Sequence, residues 1–134
     1  MSARSKARKR ALDLIYASEM RNRSAVEALE EQSAETQVNE YTSELVRGVS
    51  EHRTRLDEVI SSYLQDWTLN RMPAVDRNVL RLATYEVLYV DDVPDAVAVS
   101  EALNLVRDLS TDESPAFVNG VLGNIVRDRE VLLR

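Results

Sequence analysis

The sequence predicts an all-α protein, and three observations carry that prediction. Apolar residues recur at helical spacing through almost all of the 134 residues. Only three glycines and three prolines interrupt them, which favours long helices over short strands. Aromatic residues make up 5% of the chain, too few for a sandwich or barrel. With 44% hydrophobic and 30% charged residues, the composition is globular rather than disordered. A chain of this length buries a core without disulfides or metal. The expected architecture is one domain of about seven helices, arranged as two small packed bundles near 1–66 and 67–134.

The first helix covers residues 4–20. At 100° per residue, Ala7, Ala11, Leu14, Ile15 and Ser18 form one stripe. Lys6, Lys9 and Arg10 fall opposite, with Tyr16 close to Lys9, whereas Arg4 and Arg8 lie towards the apolar side. Ser24-Ala25-Val26-Glu27 has capping-box form and starts a second helix that reaches about Gln32. Residues 33–39 are mostly polar and read as a loop. Tyr41, Leu45, Val49 and His52, then Leu56, Val59, Ile60, Tyr63 and Leu64, define a third and a fourth helix. A break is expected near 51–55, where charges crowd.

Pro73 marks the next boundary, and the loop at 70–73 separates the expected sub-bundles. Val75, Val79, Leu82, Ala83 and Val87 carry the fifth helix, which Asp91-Asp92-Val93-Pro94 ends. Val99, Ala102, Leu103 and Val106 supply the sixth. Before the seventh, Ser114 is a favoured N-cap and Pro115 a favoured first helical residue. Phe117, Val118, Val121, Leu122 and Ile125 line that helix, and Gly120 and Gly123 within it suggest close helix packing.

Charge is distributed unevenly. Arg4, Lys6, Arg8, Lys9 and Arg10 make five of the first ten residues basic, and none of those ten is acidic. A net charge of −6 overall therefore leaves −11 on the remaining 124 residues. A cationic end on an acidic body attracts phosphate at one place and repels it elsewhere. A helix N-terminus adds a positive dipole end and free N–H groups. A few cations at one helix end suit single-stranded RNA better than a long duplex, with Tyr16 a candidate stacking face. The competing reading of the same cluster is a solubilising tail.

Enzyme chemistry finds little support. With no cysteine there is no thiol nucleophile and no thiolate ligand, and the single His52 has no partner for a zinc set. None of the three glycines belongs to a phosphate-binding fingerprint. Adjacent acids such as Glu30-Glu31 and Asp91-Asp92 read as solvated surface, since acid–base pairs need burial to separate their pKa values. No apolar segment is long enough for a signal peptide or a membrane span, so the cytoplasm is expected. Neither metal nor cofactor is expected.

Four stretches together carry a family resemblance. They are Arg4 through Tyr16; Trp67 through Pro73-Ala-Val-Asp76-Arg77 to Tyr85-Glu86; Asp92-Val93-Pro94 with Ala98 through Ala102; and Ser114-Pro-Ala-Phe117-Val118-Asn119-Gly120-Val121-Leu122. In order and spacing the chain resembles the NusB family of bacterial transcription antitermination factors. The resemblance implies an all-helical fold of two small bundles and no catalysis. It implies binding of boxA leader RNA jointly with the small ribosomal protein NusE, and entry into the elongating RNA polymerase complex with other Nus factors, chiefly at rRNA operons.

Carried over by position, the resemblance assigns Arg4, Arg8 and Lys6 to RNA, with Lys9 and Arg10 added on charge alone. It places Phe117 and Asn119 at an RNA-facing end, and Tyr16, Asp76 and Glu113 on a protein-partner surface. The loop before Ser114 lacks a basic residue that some relatives would have, so RNA affinity is expected to depend more on the N-terminal head or the partner. Two rivals stand beside this reading. One is the RNA-binding fragment of an rRNA methyltransferase, whose catalytic domain and cysteine are missing here. The other is a helical protein-binding adaptor. Whether the free protein is a monomer or a homodimer is left open.

Overall fold

The computed structural model describes residues 2–134, and among them it contains eight α-helices and no strand. They are α1 (Ala3–Met20), α2 (Ala25–Glu35), α3 (Glu40–Glu51), α4 (Arg53–Ser61), α5 (Ala74–Tyr89), α6 (Asp95–Leu109), α7 (Ser114–Arg127) and α8 (Arg129–Leu132). The chain divides into two compact units, one ending at His52 and one spanning Arg53–Arg134. The expected break near 51–55 falls at His52, which caps α3 through its backbone N–H to the Gly48 carbonyl.

The first unit is a three-helix bundle of α1, α2 and α3. Its core holds Ala7, Ala11, Leu12 and Ile15 from α1, Leu29 from α2, and Tyr41, Leu45, Val46 and Val49 from α3. The small Ala7 and Ala11 bring the α1 backbone close enough for the Thr42 hydroxyl to donate to the Ala7 carbonyl at 3.1 Å. Ser24 caps α2, accepting from the Glu27 N–H at 3.2 Å as the capping pattern requires. Ser33, expected in the following loop, lies in the last turns of α2 and donates to the Leu29 carbonyl at 2.9 Å. The helix consequently runs three residues beyond its expected end.

α1 ends in a Schellman turn. Asn22 takes the left-handed conformation with φ of 53°, its N–H reaching the Glu19 carbonyl while the Arg23 N–H reaches that of Ser18. Asn is one of the few non-glycine residues that adopts this conformation at low cost.

In the second unit α5 packs on α4, α6, α7 and α8. Every residue from Asn78 to Leu88 is buried, so the helix has no single apolar stripe. Of its buried polar side chains, Asn78 and Arg81 are hydrogen-bonded, whereas the Thr84 hydroxyl is not. Arg81 grips Asp57 of α4 with two hydrogen bonds, at 2.7 and 3.1 Å, and donates a third to Asn78 at 3.0 Å. This tie, with Leu56, Val59 and Ile60, joins α4 to the second unit. The sequence places the division near residue 66; packing places it after His52, with the 70–73 loop inside the second unit. Arg77 holds that loop, donating to the Leu69 carbonyl at 2.9 Å.

Three sequence expectations are revised in this unit. Ser114 is the first residue of α7 rather than its N-cap, which is Glu113; the Ser114 hydroxyl is engaged by Asp76 and the preceding loop. Gly120 and Gly123 do not serve close packing, since an added Cβ at either meets nothing within 4 Å. A short eighth helix follows α7, tied down by Arg129 to the Val87 carbonyl at 3.0 Å and by Arg55 to the Leu132 carbonyl at 3.0 Å. Four residues carry too little periodicity to be read from sequence.

Candidate nucleic-acid interface

The cationic head is a capped helix start. Ser2 accepts from the Ser5 N–H at 3.0 Å, and no acidic residue occupies the first turn of α1. Cations there oppose the helix dipole, and an anion bound at this end would be favoured by both. Lys6 and Arg10 are exposed. Lys9, half-exposed, donates to both carboxylate oxygens of Asp13 at 2.8 Å. Arg4 and Arg8 turn towards α3, as the helical wheel predicts. Their guanidinium carbons lie 4.2 and 5.6 Å from the centre of the Tyr41 ring, two cation–π contacts to one aromatic ring. Arg8 is only 3% exposed, and Arg4 is half-buried.

Tyr41 is legible in the sequence only as a core position of α3. Its place is set by Asn39, whose side chain caps α3 by accepting from the Tyr41 N–H at 2.8 Å. Nothing in the local pattern indicates that two cations from α1 converge on it. Tyr16, assigned to a partner surface, is 37% exposed on α1.

A second candidate lies within the second unit, a cavity of about 640 Å³ whose lining includes Trp67, Phe117, Asp76, Glu113, Gly120 and Asn124. The Trp67 and Phe117 rings lie 5.5 Å apart, tilted by 53°, and Trp67 is 46% exposed. The described lining residues include carboxylates but no lysine or arginine. Such a surface suits an uncharged ring or a basic partner and disfavours phosphate. Asn119 is exposed but sits about 200° around α7 from Phe117, on another face of the helix. These two residues, which the sequence assigns to one RNA-facing end, are therefore not brought together.

Asp76 departs furthest from a surface role. It is 2% exposed, and its carboxylate accepts from Ser110 at 2.7 Å and from Ser114 at 2.9 Å. The carboxylate thereby fixes the α6–α7 turn that carries exposed Glu113. Nearby, the Tyr63 hydroxyl donates to Asp128 at 2.7 Å. Hydrogen bonds from Arg127 and then Tyr63 hold the Asp128 carboxyl down at about 2, while burial pushes the Tyr63 phenol above its ordinary value. No cluster of three or more His, Asp or Glu among the described residues has the arrangement of a metal site. His52 ends α3, half-buried.

The NusB family pattern matches residues 5–127. The chain belongs to the NusB family. Among relatives of this NusB-family chain, the transcription antitermination protein NusB of Nocardioides sp. is 65% identical over 134 residues, covering 98% of this chain and 99% of that one. The transcription antitermination protein NusB of Arthrobacter sp. is 53% identical, with 99% of both chains covered. The solved structure of T. maritima NusB superposes with a TM-score of 0.85 at 33% identity, covering 96% of this chain and 93% of that chain. A chain in the crystal structure of antitermination factors NusB and NusE in complex with double-stranded RNA gives a TM-score of 0.81 at 26% identity, covering 92% and 96%.

Proposed function

We propose that this chain acts as a cytoplasmic transcription antitermination factor. It binds boxA-type single-stranded leader RNA together with the ribosomal protein NusE and joins elongating RNA polymerase with other Nus factors. The observation that carries the RNA part is the first turns of α1, where cations crowd a helix N-terminus with no acid among them. Lys6 and Arg10 are open for direct phosphate binding. Arg4 reaches RNA from the Tyr41 ring, Arg8 joins it once its buried guanidinium swings out from that ring, and Lys9 is released from Asp13. Phe117, leaning on Trp67, offers a ring to a base, and Asn119 offers an amide on its own face of α7.

Tyr16 and Glu113 meet the partner protein, and Asp76 acts through the turn it holds. The reading includes no catalytic step. No described helix is long and apolar enough to cross a membrane, which is compatible with it.

The test is binding of a boxA-type RNA and a scrambled control, single- and double-stranded, with and without the ribosomal protein at fixed salt. Tighter and sequence-selective binding of the single strand in the partner's presence is expected. Absence of selectivity in every combination reduces the chain to a helical adaptor. Neutralising five phosphates predicts a log–log salt slope of about −3.5, flattening by about 0.7 for each cation removed from the head. Methyl transfer to RNA by the chain alone would instead favour the methyltransferase reading.

A further inference from the structure

Beyond the head, the first unit carries a second group of cations that sequence order hides. A cavity of about 440 Å³ beside α1 and α2 is lined by Arg10, Asp13, Ser18, Arg21, Arg23 and Gln32, among others. A neighbouring cavity of about 650 Å³ is lined by Lys6 and again by Arg10, with Gln37, Asn39 and Glu40. Arg10 is thus shared between two adjoining hollows. Helical geometry explains the alignment. Lys6 and Arg10 are one turn apart, and the eleven residues from Arg10 to Arg21 make three turns with a residual of about 20°, so all three project from one face of α1. At 1.5 Å per residue, Arg10 and Arg21 stand about 16 Å apart along it.

The Schellman turn at Asn22 then reverses the chain and returns Arg23 to the same hollow. Two acids along this face are already engaged, while Glu27 adds a further negative charge near Arg23. Asp13 is held by Lys9 at 2.8 Å, and Glu31 by Arg23 at 2.8 Å, which keeps the Glu31 carboxyl below its ordinary range. Glu40 lies in the first turn of α3, where the helix dipole satisfies it.

We infer that the RNA-backbone path does not stop at the head but continues from Lys6 over Arg10 to Arg21 and Arg23 at the α1–α2 turn. The ligand class is a single-stranded phosphodiester chain, and the inference rests on the RNA reading proposed above. Exposed ion pairs such as Arg23–Glu31 are weak enough for a phosphate to displace. The turn adds two cations that suit phosphate, so its contribution is to affinity and salt dependence.

The experiment measures affinity of the full-length chain for a labelled boxA-type single-stranded RNA across a salt series. Arg21→Ala with Arg23→Ala is expected to flatten the log–log slope by about 1.4, and Arg21→Lys with Arg23→Lys to preserve it. Glu31→Gln, which frees Arg23, is expected to tighten binding at low salt. An unchanged slope in the double-alanine chain overturns the inference. An unchanged slope accompanied by weaker binding of the ribosomal protein also overturns it, by assigning the hollow to a protein. Failure of the parent reading shows separately, as a slope unmoved by Arg4→Ala with Lys6→Ala. Thermal melting checks that each variant remains folded.

Discussion

Tyr41 holds two arginines on one ring, and its contribution divides between packing and preorganisation. Exchanging it for leucine keeps much of the apolar volume but removes the π face, so Arg4 and Arg8 lose the surface that orders them. RNA affinity is expected to fall in Tyr41→Leu and to persist in Tyr41→Phe, measured by binding titration alongside melting temperature. An equal loss in both variants would show that the hydroxyl, not the ring, matters.

Asp128 offers a residue-scale pH test. Its folded value of about 2 lies below the ordinary 3.8, so its stabilisation is complete above about 4 and is lost as pH falls towards 2. Asp128→Asn should flatten the acid limb of a melting-temperature profile over that window, melting somewhat below the parent at neutral pH and converging with it near pH 2.

Among the elements, α5 and α7 show how local rules yield to context. Thr84 is fully buried in α5, and its hydroxyl has no hydrogen-bond partner, so Thr84→Val is expected to stabilise by about 1 kcal/mol in chemical denaturation. The α4–α5 tie behaves oppositely. Removing Asp57 takes a bidentate counter-charge from the buried Arg81 guanidinium, so Asp57→Ala is expected to cost about 3 kcal/mol.

In α7 the two glycines weaken the helix without a packing reason inside the fold, and Gly123→Ala should stabilise by about 0.5–1 kcal/mol. Helix positions are readable from sequence because period and caps are local. The burial of Arg81 and Asp76 is not, because a charged residue on a helix reads as surface until its partner arrives from elsewhere in the chain.

For the molecule as a whole, the cationic head on an acidic body separates two partner types by charge. Glu113→Lys is expected to weaken binding of the ribosomal protein while leaving non-specific RNA attraction intact, a pair of affinities read on one sample. Asp76→Lys cannot make that distinction, because an ammonium in the place of a buried carboxylate disrupts the α6–α7 turn. Thermal melting should show Asp76→Lys strongly destabilised and Glu113→Lys close to the parent.

The sequence by itself determined the all-α class, most helix limits, the cationic head and the family resemblance. Each rests on short-range periodicity, composition or residue order. Only the tertiary structure decided that Arg4 and Arg8 stack on Tyr41, that Asp76 is an internal brace, and that Arg21 and Arg23 join Arg10 at one hollow. Those facts depend on which helix faces meet and how a turn folds back. The spacing of residues along a chain specifies a helix face, but not what stands opposite it.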